Sequence, residues 1–238
     1  LRSMTPEGTN DLFIVGDGHQ RIYSRQVVLS RCGVEVRGRS AKLRINYRTT
    51  RETMDWGMQL LRDLPVEDLD GGRDPLEGCR SLLRGLAPRL EGFETFEQEA
   101  AFLGEYLSKL EKEGETLEDM CVVARKGSLL ERYEKAFREK GIATVVLSGE
   151  EPEDRTQKGV RLATMHRVKG LEFSYVILAG AGEEYLPLPG LPRSEDPGVE
   201  SEKELMERSL LYVTATRARN HLLVTWHGEP SPFLCQGN

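Results

Sequence analysis

The run Met120 to Ala124 (MCVVA) constrains the fold most, because it leaves no polar side chain for a wet face. A strand of that kind must be covered on both sides, which is the habit of parallel sheets. Apolar-rich runs recur at Ile142 to Leu147, Val160 to Met165, Tyr175 to Ala179 and Leu222 to Trp226. Helical patterns with their own start signals separate them. Thr95 with Gln98 makes a capping box for a helix ending at Gly114, and Ser128 with Glu131 opens one ending at Gly141. Ser201 with Glu204 opens a last helix that reaches Arg219. Upstream, Asp11 to Val15 (DLFIV) and Leu43 to Asn46 read as strands. Thr49 with Glu52 starts a helix that runs to Leu64 and stops at Pro65. Strands alternating with helices predict an α/β fold, a mostly parallel sheet with helices on both faces.

The linking stretches are less regular. Val27 to Val36 reads as short helix or loop, and Val66 to Gly78 as an acidic, glycine-rich loop. Leu82 to Phe93 favours neither strand nor helix, and Gly182 to Val199 is a long loop rich in proline and glycine.

A chain of 238 residues suits one large α/β domain or two small ones. The net charge of −6 disfavours a polynucleotide partner, but its distribution says more than its sum. Arg21, Arg25, Arg31, Arg37, Arg39, Lys42, Arg44, Arg48 and Arg51 face a single acid, Glu35, over that stretch. A basic surface on an acidic domain is a plausible phosphate-contacting face. The four cysteines are scattered and form no CxxC pair, which argues against zinc and against a disulfide framework. With no secretory pattern and no spanning apolar run, a cytoplasmic location without membrane contact is expected.

Four strings combine glycine, amide, aromatic and basic side chains at the ends of expected strands. In Val15 to Tyr23 (VGDGHQRIY), a strand followed by Gly-Asp puts Gln20 where sheets bind ligands. In Leu43 to Thr50 (LRINYRTT), Arg48 lies just before a helix start, where a guanidinium reaches phosphate oxygens in pairs, and Tyr47 offers a flat ring. In Val160 to Phe173 (VRLATMHRVKGLEF), a basic turn with Gly170 sits between two strands. In Glu207 to Arg219, Leu210, Leu211, Val213 and Thr214 fit a buried helical face, with Arg217 and Arg219 in the last turn. Each string alone also suits an ordinary loop or a helix-dipole cation.

In this order the strings resemble motifs III, IV, V and VI of UvrD/Rep/PcrA-like superfamily 1 DNA helicases, in the C-terminal, second RecA-like domain. The resemblance implies an RecA-like, P-loop NTPase-type domain that lacks the P-loop half. It implies that Gln20, Arg48 and Arg217 act at the γ-phosphate of ATP. Tyr47 would stack on adenine, while Gly170 and Glu172 would sit near the nucleotide, Glu172 taking the ribose hydroxyl. Tyr23, Arg25, Thr164, His166 and Lys169 would face single-stranded DNA. Motif III usually carries a further aromatic; here Ser24-Arg25-Gln26 follows Tyr23, and a stacked Arg25 is expected to substitute.

No G-x-x-x-x-G-K-[ST] string and no D-E-x-Q-D string occurs. The chain is therefore expected to be a C-terminal piece of an ATP-dependent helicase, inactive by itself, with Mg2+ ligands in a first RecA-like domain outside it. Residues 1–23 would be a remnant of that first domain, and 24–238 the second domain. Only Ser148 to Gly159 lies where UvrD and Rep carry a large inserted subdomain. The apolar strand Asp11 to Val15, parted from its own sheet, is expected to pair with an edge of this domain or with the same strand of a second copy, as a truncation-induced homodimer. The alternative function is a non-catalytic helicase-like module that senses nucleotide or binds DNA within a nuclease or repair assembly.

Overall fold

Every residue of the strand Met120–Ala124 is buried, and it lies in the interior of the main sheet as its composition requires. The computed structural model describes residues 2–6, 8, 10–23, 28–36, 38–66, 72, 78–149, 153–189 and 196–234. In chain order its strands are β1 (Ile45–Asn46), β2 (Arg80–Ser81), β3 (Arg89–Phe93), β4 (Met120–Ala124), β5 (Thr144–Val146), β6 (Val160–Thr164), β7 (Phe173–Leu178) and β8 (Ala218–His227). Its α-helices are α1 (Arg51–Leu60), α2 (Phe96–Lys112), α3 (Gly127–Glu139) and α4 (Pro197–Ala215). Six strands form a parallel sheet in the order β3-β8-β7-β4-β6-β5, and β1 pairs with β2 in a small parallel sheet apart from it.

Alternation along the strands builds two cores. Cys121, Val123, Ala163, Val176, Leu178, Leu222 and Val224 pack with Leu210, Leu211 and Val213 of α4, and with Leu60 of α1. Met120, Val122, Leu162, Ile177 and Leu223 pack with Leu103 and Leu107 of α2, and with Leu129, Tyr133 and Phe137 of α3. Each fully buried large apolar side chain contributes roughly 1.5–3 kcal/mol. The α/β fold with helices on both faces is thus as the pattern of apolar runs predicts.

Several boundaries differ from the sequence reading. The first helix is capped by Thr50, not Thr49: the Thr50 hydroxyl accepts the Thr53 N–H, while Glu52 accepts the Gly85 N–H. The helix ends at Leu60, and Asp63 takes a φ of 66° before Pro65 is reached. The Thr95–Gln98 capping box forms as expected. The third helix starts at Gly127 with no side-chain cap. The fourth starts at Pro197, because Asp196 accepts the Gly198 N–H and proline presets the first turn. It stops at Ala215, so Arg217 lies in the following turn and Arg219 within β8. Leu82 to Phe93 supplies β3, an edge strand whose alternation is interrupted by Gly92 lying against Trp226. Most of Val66 to Gly78 falls outside the described residues.

The strand expected at Asp11 to Val15, and its pairing with an edge of this domain, are not found. The segment forms no strand and pairs with none among the described residues of the chain, and Phe13 is 94% exposed. The 3-10 turn Gly18–Gln20 that follows packs on α4, and Ile22 enters the core on that face. The segment is thereby tethered over a helix-covered face, away from the open ladders of β3 and β5.

Candidate functional site

Residues 165–172 join the carboxyl end of β6 to the amino start of β7, although β4 lies between those two strands. Both strands run parallel to β4, so the segment must travel from one end of the sheet to the other. Met165 and Val168 are fully buried in the α4-side core, which places the crossing on that face. One short segment therefore holds groups at both ends of the sheet.

At the amino end it presents Glu172. Arg48 Nε donates to Glu172 Oε2 at 2.9 Å, with both side chains nearly half exposed. Asn46 fixes this approach: its Oδ1 accepts the backbone N–H groups of Arg48 at 2.7 Å and Thr49 at 3.2 Å, a turn that short amides favour. Arg217 is only 2% exposed. Its Nε donates to the Val213 carbonyl at 3.0 Å, and Nη2 to Thr216 Oγ1 at 3.3 Å. Burial, with the charge of Arg48 second, pulls the Arg217 pKa down to about 10. Burial and the neighbouring guanidinium both disfavour its charged form. Tyr47 is 69% exposed beside them. Gly170 has a φ of 88°, and nothing lies within 4 Å of where a Cβ would stand.

Gln20 ends the turn that packs on α4. Its Nε2 donates to Asp17 Oδ2 at 2.7 Å, and its carbonyl accepts Lys169 Nζ at 3.0 Å. Burial tends to raise the Asp17 pKa, but the hydrogen bonds from His19 and Gln20 outweigh it and leave the carboxyl below its usual range.

Toward the carboxyl end, Lys169 Nζ sits 5.3 Å from the Tyr23 ring centroid, and the His166 ring lies 6.2 Å from the same ring. Thr164 closes β6, and its carbonyl accepts the N–H groups of Arg167 and Val168. Burial first, then the charge of Arg125, lowers the His166 pKa, against the opposing pull of Glu207. Arg25 lies outside the described residues.

The structure thus brings Arg48, Glu172 and Arg217 together, and separately Tyr23, His166 and Lys169, with Gln20 bonded to Lys169 between the two groups. Sequence reading assigned no role to Asp17 or Asn46, nor to Arg155, whose Nη2 donates to the Glu172 carbonyl at 3.0 Å. Asn two residues before Arg48 is a turn signal that was available; Arg155 carries no local signal. Among the described residues, no group of three or more His, Cys, Asp or Glu is placed to hold a metal ion, and no helix is long and apolar enough to cross a membrane.

Residues 146–229 match the UvrD-like helicase C-terminal domain. The matched stretch runs from the last residue of β5 past β8 and includes both the 165–172 crossing and α4. Over residues 146–229 the chain is similar to that family. The ATP-dependent DNA helicase UvrD2 of Mycobacterium tuberculosis strain H37Rv is 43% identical over 75 residues, 32% of this chain and 10% of that protein. YjcD of Bacillus subtilis strain 168 is 35% identical over 119 residues, 50% of this chain and 14% of that protein. The ATP-dependent DNA helicase PcrA of Staphylococcus epidermidis RP62A is 43% identical over 70 residues, 29% of this chain and 9% of that protein. Each alignment therefore spans a small part of the relative's length. The fold is shared with the C-terminal domain of a possible DNA helicase from Lactobacillus plantarum WCFS1, at a TM-score of 0.57 and 22% identity over 81% of this chain and 94% of that one. The UvrD-like stretch contains Thr164, His166, Lys169, Gly170, Glu172 and Arg217, whereas Gln20, Tyr23, Tyr47 and Arg48 come from the segment before it.

Proposed function

We propose that this chain is the second motor domain of an ATP-dependent DNA helicase or translocase, completing an ATP cleft at the amino end of its sheet and contacting single-stranded DNA through the start of the 165–172 crossing. The observation that carries this reading is the meeting of Arg48 and Arg217 beside Glu172, with the Arg217 pKa depressed by burial and by Arg48. Two guanidinium groups this close fit a bound polyphosphate, because an anion would favour the charged form of both. The exposed ring of Tyr47 fits a purine face. In this role Arg48 and Arg217 stabilise charge on the transferred phosphoryl group, Gln20 orients the attacking water, and Glu172 takes the ribose hydroxyl once Arg48 turns to phosphate. The protein ligands of magnesium would belong to a partner domain with a P-loop.

Tyr23, His166 and Lys169 combine an exposed ring with basic groups, the chemistry that holds single strands by stacking and phosphate contact. Because the crossing carries Glu172 at one end and His166 near the other, closure on nucleotide would move the strand contacts. Hydrolysis would then drive stepping. The proposed division places residues 1–23 with the first domain and 24–238 with the second. The purified chain should show no DNA-stimulated ATP hydrolysis, and joining it to the P-loop domain of its own longer protein should create that activity. Robust turnover by the 238-residue chain alone would contradict the reading.

A further inference from the structure

We propose that Arg155 is a positioning residue for the nucleotide, acting through Glu172. The proposal rests on the reading that Glu172 takes the ribose hydroxyl. Arg155 lies in the connection from β5 to β6, 17 residues before Glu172. Its Nη2 donates to the Glu172 carbonyl at 3.0 Å. The backbone on either side of that carbonyl is held by Arg217. The Arg217 Nη1 donates to the Leu171 carbonyl at 3.5 Å, and the Arg217 carbonyl accepts the Phe173 N–H at 3.0 Å. Two arginines thus fix three successive residues, and the middle one carries the carboxylate that meets Arg48.

Arg155 is itself anchored from two sides. Its Nη1 donates to Asp119 Oδ1 at 3.4 Å, and its Nε to Glu153 Oε2 at 3.3 Å. Asp119 stands just before β4, and its Oδ2 accepts Arg219 Nη2 at 3.2 Å and the Ser174 hydroxyl at 3.4 Å. Glu153 is only 6% exposed, and its Oε1 accepts Nε of the fully buried Arg161 at 3.0 Å. Arg161 donates through Nη1 and Nη2 to the Gly159 and Asp154 carbonyls. Each nitrogen of the Arg155 guanidinium therefore has its own acceptor, which gives a half-exposed planar fork one orientation. Exposed ion pairs of this kind add little stability one by one. Their effect lies in direction. Rooted in β6, in the starts of β7 and β8 and in the approach to β4, the network sets where Glu172 leaves the sheet. The carboxylate then stands in one place, first for Arg48 and, once Arg48 turns to phosphate, for the ribose hydroxyl.

The test has two arms. In the 238-residue chain, water exchange of the arginine Nε–H groups is followed by NMR, and Arg48→Lys assigns the Arg48 resonance. Arg155→Ala should speed exchange at Arg48 Nε roughly threefold, because the carboxylate that accepts it is no longer held in place. Arg155→Lys keeps one donor for the Glu172 carbonyl and should restore part of the protection. Unchanged exchange at Arg48 Nε in Arg155→Ala overturns the positioning role, whatever the urea midpoint does. The second arm uses a chain that joins this one to the P-loop domain proposed to complete its cleft. There Arg155→Ala should raise the KM for ATP roughly threefold with kcat within about twofold, the mark of lost ground-state binding. It should also narrow the preference, in kcat/KM, for ATP over 2′-deoxy-ATP or 3′-deoxy-ATP. A merely structural role would weaken ATP and its deoxy analogues alike and leave that preference intact. If Glu172→Gln narrows the preference and Arg155→Ala does not, the positioning role is overturned. If the parent shows no preference, or Glu172→Gln keeps it, the ribose reading on which the proposal rests is what falls.

Discussion

Arg48 and Glu172, 124 positions apart, meet in a 2.9 Å ion pair at the amino end of the sheet. With both side chains nearly half exposed, the pair itself adds little stability, of the order of 0–1 kcal/mol. Its cost of rearrangement is correspondingly small, which suits the turn toward phosphate proposed for Arg48. Arg217 differs, because it is buried and its guanidinium bonds to the Val213 and Leu171 carbonyls.

The two arginines should therefore separate in stability. Arg217→Ala leaves a buried void and removes the donor to the Val213 carbonyl, and should cost roughly 2–4 kcal/mol. Arg48→Ala should cost less than about 1 kcal/mol. Urea denaturation of the two variants checks this; equal midpoints would mean that Arg217 is not held as described.

Glycine substitutions probe the entry to β6. Gly159 has a φ of 134°, and a Cβ there would stand 2.8 Å from the Ala143 carbonyl carbon. Both strain and overlap oppose a side chain, so Gly159→Ala should lose roughly 2–4 kcal/mol. Gly141 also has a positive φ, 76°, but open space around it, and Gly141→Ala should lose only about 1 kcal/mol. Reversal of that order in thermal or urea unfolding would show that the backbone at Gly159 is not as tightly enclosed.

Acid stability should register His166. Its folded pKa lies below the usual 6.5, through burial and then Arg125. The unfolded chain thus takes up the proton first as pH falls. The stability that neutral His166 contributes is present above 6.5 and is lost as pH drops through the lower folded value. His166→Gln should flatten the fall in urea midpoint between neutral pH and about pH 5. Parallel curves for parent and variant would exclude this linkage. Asp17 acts in the same direction, but only in the carboxylate range, below its usual 3.8.

Much of this architecture was legible because burial leaves a direct imprint on composition. MCVVA could only be an interior strand, and the Thr95–Gln98 box forms as written. Helix starts misled where several capping signals competed. Pro197 after Asp196 outweighed Ser201, and Thr50 displaced its neighbour Thr49. Asp11 to Val15 looked like a strand, but a strand also needs an open ladder beside it, and composition does not report that. In the candidate site, short strings were readable wherever a turn residue sat next to a charged one. The pairing of Arg125 with Glu207 was not, because it depends on the middle of α4 passing the carboxyl end of β4.

DNA-stimulated ATP turnover of Arg48→Ala, measured in a chain that joins this one to the P-loop domain proposed to complete its cleft, tests the central claim most directly. Oligothymidylate affinity is followed in the same samples. A charge-stabilising arginine contributes on the order of 10³ in rate, so turnover should fall at least ~10-fold while strand affinity stays within about twofold of the parent. Unchanged turnover in Arg48→Ala would contradict the assignment of this end of the sheet to the ATP cleft.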